Sequence, residues 1–222
     1  MTTQAVRQRI LAANEEAASE LRQRFARQGT LVINLISSPG SGKTSLLEAT
    51  VPRLKNEFHI AAVEGDIATE RDANRLRRSG CAAYQIQTGG ACHLDARLVR
   101  EALAVAEFGA LDMLFIENVG NLVCPTSYDL GEDFKVAVLS VTEGEDKPLK
   151  YPGIFTRAAV TVINKMDLLP YVDFDLDAVS TSLATLNPNG VQLRASMRTG
   201  EGVDAWLELL KTRLAAKRKA TI

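Results

Sequence analysis

The fold of this chain is decided by the stretch Ser37-Ser38-Pro39-Gly40-Ser41-Gly42-Lys43-Thr44. An apolar run over residues 30–36 precedes it and an amphipathic run follows, which predicts a strand, a glycine-bearing turn and a helix. In that arrangement, backbone N–H groups and a helix N-terminus point at one place, where a polyphosphate can accept hydrogen bonds. The stretch therefore predicts a phosphate-binding loop.

Individual residues of this loop have expected roles. The pattern Gly-x-x-x-x-Gly-Lys-[Ser/Thr] is met except at its first position, where Ser37 stands, and Gly40 is expected to supply the missing backbone freedom. Lys43 is expected to reach the β- and γ-phosphates, and Thr44 to hold Mg²⁺. The residues predicted to bind the phosphates are Gly40, Ser41, Gly42, Lys43, Thr44 and Ser45.

The remainder of the chain indicates an α/β protein of the P-loop NTPase class. About seven strand-like runs alternate with helical ones, which predicts a mostly parallel sheet with helices on both faces. With 222 residues and 46% hydrophobic content, the chain can bury one sizeable core. Residues 1–29 are predicted to form an amphipathic helix that either packs outside the main domain, residues 30–222, or binds a partner.

Composition excludes several classes of partner. The formal net charge of -1 gives no field that favours nucleic acid. No stretch is long and apolar enough to span a bilayer, so no membrane partner is expected. Three scattered cysteines do not form a disulfide framework, which favours a cytoplasmic location.

Carboxylates follow two of the predicted strands. Asp66 follows a strand predicted over residues 59–63, where it either binds Mg²⁺ or caps the next helix; both interpretations stay open, and Asp72 is a weaker candidate. Glu117 and Gly120 follow a later strand, where small GTPases place Asp-x-x-Gly. Glu117 is expected to organise the metal or the attacking water, and Gly120 to offer an N–H to the γ-phosphate. Together with Lys43, these three residues form the predicted catalytic set.

The motif Asn164-Lys165-Met166-Asp167 predicts the base. An ionised aspartate only accepts hydrogen bonds; guanine offers two adjacent donors, whereas the N1 of adenine is an acceptor. Asp167 therefore favours guanine, Lys165 is expected to lie along the base, and Asn164 steadies the loop or reaches the base edge. Ser196 either closes over the base or caps a turn. Residues 30–222 are accordingly predicted to be a GTPase domain.

Cys92, His93 and Cys124 form a candidate site for a transition metal. Both segments leave the C-terminal ends of strands, so they can converge above the sheet, and thiolate and imidazole suit Zn²⁺, Ni²⁺ and copper. Three ligands fall short of a closed tetrahedral zinc site, whereas a two-fold axis would duplicate the cysteines. The alternative is that the cysteines are small buried apolar residues, which is the interpretation adopted for Cys81.

Four segments together resemble the HypB family, GTPases that assist nickel insertion into [NiFe]-hydrogenase. They are the phosphate loop, Thr88-Gly-Gly-Ala-Cys-His-Leu-Asp95, Glu117-Asn-Val-Gly-Asn-Leu-Val-Cys-Pro125 and Asn164-Lys-Met-Asp167. The resemblance implies slow hydrolysis of GTP to GDP, Mg²⁺ dependence, a GTP-dependent homodimer, and Ni²⁺ or Zn²⁺ bound near the switch region. It also implies a HypA-type nickel chaperone and the hydrogenase large subunit as partners.

Other functions remain alternatives at this point. An accessory GTPase for another metalloenzyme, such as urease, would place Cys-Pro-His where this chain has Cys92-His93. A P-loop kinase for a small molecule would have no use for Asn164-Lys-Met-Asp167. A non-catalytic metal-binding protein would tolerate the loss of Lys43.

Overall fold

A computed structural model describes residues 3–66 and 70–221 of the chain. Its centre is one seven-stranded sheet in which every strand pairing is parallel, with the order β3-β2-β4-β1-β5-β6-β7. The strands are β1 Leu31–Ser37, β2 Ile60–Asp66, β3 Ala82–Gln87, β4 Met113–Glu117, β5 Phe134–Ser140, β6 Val160–Asn164 and β7 Val191–Arg194. The predicted sheet of about seven strands is confirmed.

Helices connect the strands and cover both faces of the sheet. They are α1 Thr3–Gln28, α2 Lys43–Leu54, α3 Arg71–Ser79, α4 Ala96–Val105, α5 Lys147–Lys150, α6 Pro152–Arg157, α7 Leu176–Leu186 and α8 Val203–Thr221. Short 3₁₀ turns occupy Cys124–Ser127, Val141–Glu143 and Met166–Tyr171. None of the helices in the described ranges combines the length and the hydropathy that crossing a bilayer requires.

The alternation of side chains along β1 explains the layers. Leu31, Ile33 and Leu35 face a core that α2, α3 and α8 close, including the fully buried Trp206. Val32 points to the opposite face, where α1 and α4 pack. Successive strand residues point to opposite faces, so an unbroken apolar strand fits a sheet covered on both sides.

Helix α1 is part of this second layer. Its residues Ala17, Leu21 and Phe25 are buried against β2, β4 and α4. The buried Asn14 side chain accepts a bond from Ala96 N at 2.8 Å and donates to Asp129 O at 2.9 Å. The first helix thus packs on the main domain, while the division at residue 29 stays a prediction.

Strand ends differ from the sequence-based expectation. β2 was expected to end at residue 63, but it continues through Glu64 to Asp66, and β4 includes Glu117. Parallel pairing with the neighbouring strands extends these ends, because Glu64 pairs in register with both Gln85 and Glu117. Two carboxylates are therefore placed by the rigid sheet and not by loops.

Candidate functional site

The phosphate-loop residues form the connection between β1 and α2. Gly42 has a φ of 106°, and a Cβ there would lie 2.3 Å from Asn164 Nδ2, so only glycine fits. Gly40 also has positive φ, 78°, which agrees with the conformational freedom expected of it. Lys43 Nζ donates to Ser37 Oγ at 3.0 Å, so the serine that replaces the usual glycine contacts the lysine ammonium.

A cluster of carboxylates lies beside the N-terminus of α2. Thr44 Oγ1 donates to Glu117 Oε1 at 2.7 Å, and carboxylate oxygens of Glu64, Asp72 and Glu117 all lie within 4.8 Å of one another. Glu64 Oε2 and Glu117 Oε2 are buried without a hydrogen-bond partner. Buried, unpaired oxygen atoms beside a threonine hydroxyl are the donor set that Mg²⁺ accepts. The residues present therefore fit the expected ion.

The electrostatics of this cluster also favour a cation. Burial raises the pKa of Glu64 to about 8, with further increases from Glu117 and Asp66. Burial raises the pKa of Glu117 to about 7, although Lys43 and Thr44 oppose the increase. Mutual repulsion of acidic groups is relieved when a divalent ion binds them.

Asp66 lies in the same cavity but outside the tightest carboxylate cluster. The cavity is ≈ 440 Å³ and is lined by Lys43, Thr44, Glu64, Asp66, Asp72, Arg75, Glu117 and Gly120, among others. Glu64 was not among the residues assigned from the sequence, and Asp72 was only a weaker candidate for the magnesium site. An acidic residue inside an otherwise apolar strand was the available signal for Glu64, because burying an unpaired carboxylate is costly.

Arg75 is a cation of this cavity that the sequence-based assignment also left out. Its guanidinium donates to both Glu48 oxygens, at 3.1 and 2.6 Å, and to Asp72 Oδ1 at 2.9 Å. The same group donates to Ser45 Oγ at 3.2 Å. These bonds tie α3 to α2 at the edge of the cavity.

Gly120 reaches the phosphate loop by backbone contact. A Cβ on Gly120 would lie 2.9–3.1 Å from three atoms of Pro39. That spacing is too close for any other residue without displacing one of the two loops. The segment after β4 therefore rests directly on the phosphate loop.

The predicted base-binding residues surround a second cavity of ≈ 370 Å³ beside the first. Asn164 Nδ2 donates to Ser41 O at 2.8 Å, and Lys165 Nζ donates to Gly40 O at 2.7 Å. Both side chains hold the phosphate loop, which agrees with the first of the two roles considered for Asn164. Asp167 lines the cavity, together with Met197 and Arg198. These two residues belong to the segment 196–202 that follows the last strand and was expected to close over the base, although neither was singled out.

Ser196 acts through Asp167 and does not line this cavity. It is fully buried, and its Oγ donates to Asp167 Oδ1 at 2.6 Å while accepting from Thr199 N at 3.2 Å. The hydroxyl thus orients the carboxylate and also stabilises the turn that follows β7. The bond from Thr199 N agrees with the capping role considered for Ser196, while a role at the base stays a prediction.

The three predicted ligands of a transition metal meet within one chain. Cys92, His93 and Cys124 each present a ligand atom within 4.8 Å of the other two, and Cys92 Sγ lies 3.7 Å from His93 Nδ1. The His93 ring stacks on Tyr128 with 4.0 Å between centroids. Cys81, by contrast, is buried in the core, and burial raises its pKa to about 12.

Charge states at this cluster suit metal binding. The Cys124 side chain, followed by burial, raises the pKa of the Cys92 thiol, so a cation is needed to stabilise the thiolate. Burial lowers the pKa of His93, against the opposing charge of Asp95, and this keeps the imidazole neutral and able to ligate.

Comparisons with known proteins identify the group to which this chain is related. A family profile described as "CobW/HypB/UreG, nucleotide-binding domain" matches residues 31–193. Hydrogenase maturation factor HypB of Azotobacter vinelandii is 49% identical over 217 residues, covering 98% of this chain and 72% of that protein. The chain belongs to the HypB family. The P-loop fold and the GTPase class predicted from sequence are thereby confirmed.

Two solved HypB structures are similar along most of the chain. HypB from Archaeoglobus fulgidus has a TM-score of 0.86 and 40% identity, covering 92% of this chain and 100% of that one. HypB from Helicobacter pylori in complex with nickel has a TM-score of 0.86 and 39% identity, covering 94% and 97%. These likenesses extend over the sheet and its helices, while the roles of individual residues rest on the geometry given above.

Proposed function

We propose that this HypB-family GTPase is a nickel metallochaperone that assists nickel insertion into [NiFe]-hydrogenase. One observation carries the proposal: the segment from Glu117 to Cys124 has a magnesium-site carboxylate at one end and a cysteine of the metal cluster at the other. Hydrolysis and metal binding therefore share one short piece of backbone. The A. vinelandii relative is a hydrogenase maturation factor and the H. pylori relative forms a complex with nickel, which supports the same client and cargo.

GTP is the proposed substrate because of Asp167. Its carboxylate, oriented by Ser196, can accept from both N1–H and the 2-amino group of guanine. Asn164 and Lys165 hold the phosphate loop against this base site. The three side chains together favour guanine over adenine and link base binding to phosphate binding.

Hydrolysis is assigned to Lys43, Asp66, Glu117 and Gly120. Thr44 and Glu117 would hold Mg²⁺, with Glu64, Asp72 and the nearby Asp66 available to share it, and the ion would neutralise phosphate charge. Lys43 stabilises negative charge on the β- and γ-phosphates. Asp66 and Glu117 orient the attacking water, and Gly120 N–H follows the γ-phosphate.

The cargo is Ni²⁺, with Zn²⁺ as the competing ion. Two thiolates and a neutral imidazole supply three ligands, so a fourth position stays open for release to another protein or for a ligand from a second chain. A GTP-dependent homodimer, a HypA-type chaperone and the hydrogenase large subunit are the proposed partners. Three free cysteines are consistent with a cytoplasmic location.

Two assays with matched variants test this function. Purified protein should hydrolyse GTP slowly in the presence of Mg²⁺, and Lys43→Ala should abolish hydrolysis while leaving nickel stoichiometry unchanged. Cys92→Ala and Cys124→Ala should lose nickel but retain hydrolysis, with Cys81→Ala as the control. Light scattering with GDP and with a non-hydrolysable GTP analogue measures the dimer. Nickel binding that survives both cysteine substitutions would contradict the proposal.

A further inference from the structure

Asn121 spans the two segments that carry the metal-cluster cysteines. Its Nδ2 donates to the carbonyl of Cys92 at 3.4 Å. Its Oδ1 accepts from Val123 N at 2.8 Å and from Cys124 N at 3.4 Å. One side-chain amide thus contacts the backbone of both cysteines and is not itself one of the proposed metal ligands.

The backbone of the same residue is tied to the nucleotide side of the molecule. Asn121 directly follows Gly120, which lies against Pro39 of the phosphate loop. There is no space for a Cβ between the two, so movement of Pro39 toward Gly120 pushes Gly120 away. Such a displacement therefore moves the Cα atom from which the Asn121 side chain extends.

A second asparagine anchors the Cys92 segment at its other end. Asn118 is buried, and its Oδ1 accepts from Leu94 N at 3.0 Å. Its Nδ2 donates to Asn34 Oδ1 of β1 at 3.3 Å. The metal loop is consequently anchored to the rigid sheet through Asn118, whereas its contact through Asn121 belongs to the segment that touches the phosphate loop.

We propose that Asn121 is the positioning residue through which the nucleotide state changes the geometry of Cys92 and Cys124. The inference rests on the proposed function, because it requires a loop after β4 that responds to the γ-phosphate. The amide is short and planar, so movement of Gly120 shifts its donor and acceptor together relative to the anchored loop. The spacing of the two thiols then differs between the GDP and GTP states, and with it the affinity for metal.

Thiol reactivity in metal-free protein tests this inference without relying on activity. Alkylation rates of Cys92 and Cys124 are measured by mass spectrometry with GDP and with a non-hydrolysable GTP analogue, and the buried Cys81 serves as an internal reference. The quantity compared is the ratio of the alkylation rates in the two nucleotide states. For wild type we expect a ratio of at least about fivefold at one of the two cysteines, a threshold set at the lower end of the affinity couplings commonly found between sites.

Two substitutions separate the halves of the amide. Asn121→Ala removes all three bonds. Asn121→Asp keeps the acceptor for Val123 N and Cys124 N, removes the donor to Cys92 O and to the Cys92 thiol, and adds a negative charge that slows alkylation in both nucleotide states alike, so the ratio between the states is the quantity compared. Both are expected to bring the ratio to about one while kcat and KM for GTP stay within about twofold of wild type. Asn187→Ala, which removes a side-chain hydrogen bond to Ala158 O far from the site, should keep the wild-type ratio.

The outcomes distinguish this inference from the function on which it rests. A wild-type ratio above fivefold that persists in both Asn121 variants overturns the role of Asn121 and leaves the nucleotide-sensitive metal site intact. A wild-type ratio near one overturns the coupling as well. If Asn121→Ala loses the ratio but also has a lower melting temperature, the loss could come from unfolding of the turn. Asn121→Asp, which retains the turn, then decides: a ratio that persists in this variant contradicts the inference.

Discussion

Asp167 is the residue that we propose selects the base, through the orientation that its neighbour gives it. Its carboxylate is fixed by the buried Ser196 hydroxyl at 2.6 Å, so its free lone pairs have a defined direction. Guanine matches that direction with two donors, whereas an acceptor at the same place would be repelled. Discrimination of the base therefore depends on one carboxylate oxygen pair and its orientation.

Replacing Asp167 by asparagine should change the preferred base. The amide cannot accept both guanine donors, so GTP affinity should fall by about 10–150-fold, since a hydrogen bond to a charged group contributes about 1.5–3 kcal/mol. Xanthosine triphosphate, which has a carbonyl where guanine has the 2-amino group, should bind more tightly than GTP. Competition against a fluorescent nucleotide measures both, with the exposed Asp177→Asn as control. Unchanged GTP preference would contradict the assignment.

Glu64 predicts how stability depends on pH. In the folded, metal-free protein its pKa is about 8, above the ordinary value of 4.5. The folded state therefore binds more protons than the unfolded state between these values, and the free energy of unfolding falls as pH rises through that window. Glu64→Gln should flatten the dependence and stabilise the protein by about 1–3 kcal/mol at pH 8.

Urea unfolding in EDTA without nucleotide, at pH 5.5, 7 and 8.5, checks this expectation. Mg²⁺ affinity should change in the opposite direction, since the ion displaces protons from the same carboxylates. Identical pH slopes in wild type and Glu64→Gln would show that Glu64 does not titrate in this range.

Candidate site residues could largely be identified from the sequence wherever a motif fixes the spacing between them. The phosphate loop and Asn164-Lys-Met-Asp167 are local patterns, and Cys92, His93 and Cys124 could be grouped because strand ends share one edge of a parallel sheet. Glu64 and Arg75 were not assigned and Asp72 was only a weaker candidate, because their proximity depends on the position of α3 and on the length of β2. No local pattern gives either quantity.

At the scale of elements, the segment following β4 is the part that joins the two sites. It begins at Glu117, touches the phosphate loop at Gly120 and reaches the metal cluster at Cys124. Its length was visible in the sequence as a long loop. Its contact with Pro39 was not, because a backbone contact between two loops leaves no compositional signal beyond a glycine.

Gly120→Ala should uncouple nucleotide states at this contact. The added Cβ would lie 2.9–3.1 Å from Pro39 atoms, so the segment must move away from the phosphate loop. We expect GTP hydrolysis to fall about 10–1000-fold, as when one transition-state donor is lost, with GDP affinity little changed. Single-turnover hydrolysis and GDP titration measure the two effects, and Gly153→Ala is the control. Equal loss of GDP binding would point to general disruption of the loop.

Across the whole molecule, the order of strands brings distant segments together. β1 lies between β4 and β5, so the phosphate loop adjoins both the metal-cluster segment and the path to the base site. The α/β class follows from the alternation of strands and helices in the sequence. The order of the strands does not follow, because it depends on pairings between residues far apart in the chain.

Helix α1 contributes to this assembly through Asn14. The buried amide joins Ala96 at the start of α4 to Asp129 in the loop that contains Tyr128. Asn14→Ala leaves these backbone groups without partners, which should cost about 1–3 kcal/mol. For a chain of this size the melting temperature should fall by roughly 2–12 °C. Circular dichroism against the exposed Asn74→Ala measures the difference; equal melting temperatures would show that α1 is not integral to the fold.

We infer that the nucleotide bound at one end of the segment after β4 controls the metal held at the other. The most direct measurement is the nickel dissociation constant of the wild-type protein by competition with a chelator, once with GDP and once with a non-hydrolysable GTP analogue. The account predicts values that differ by about 5–150-fold, with Cys92→Ala showing weak binding in both states. Equal dissociation constants in the two nucleotide states would contradict it.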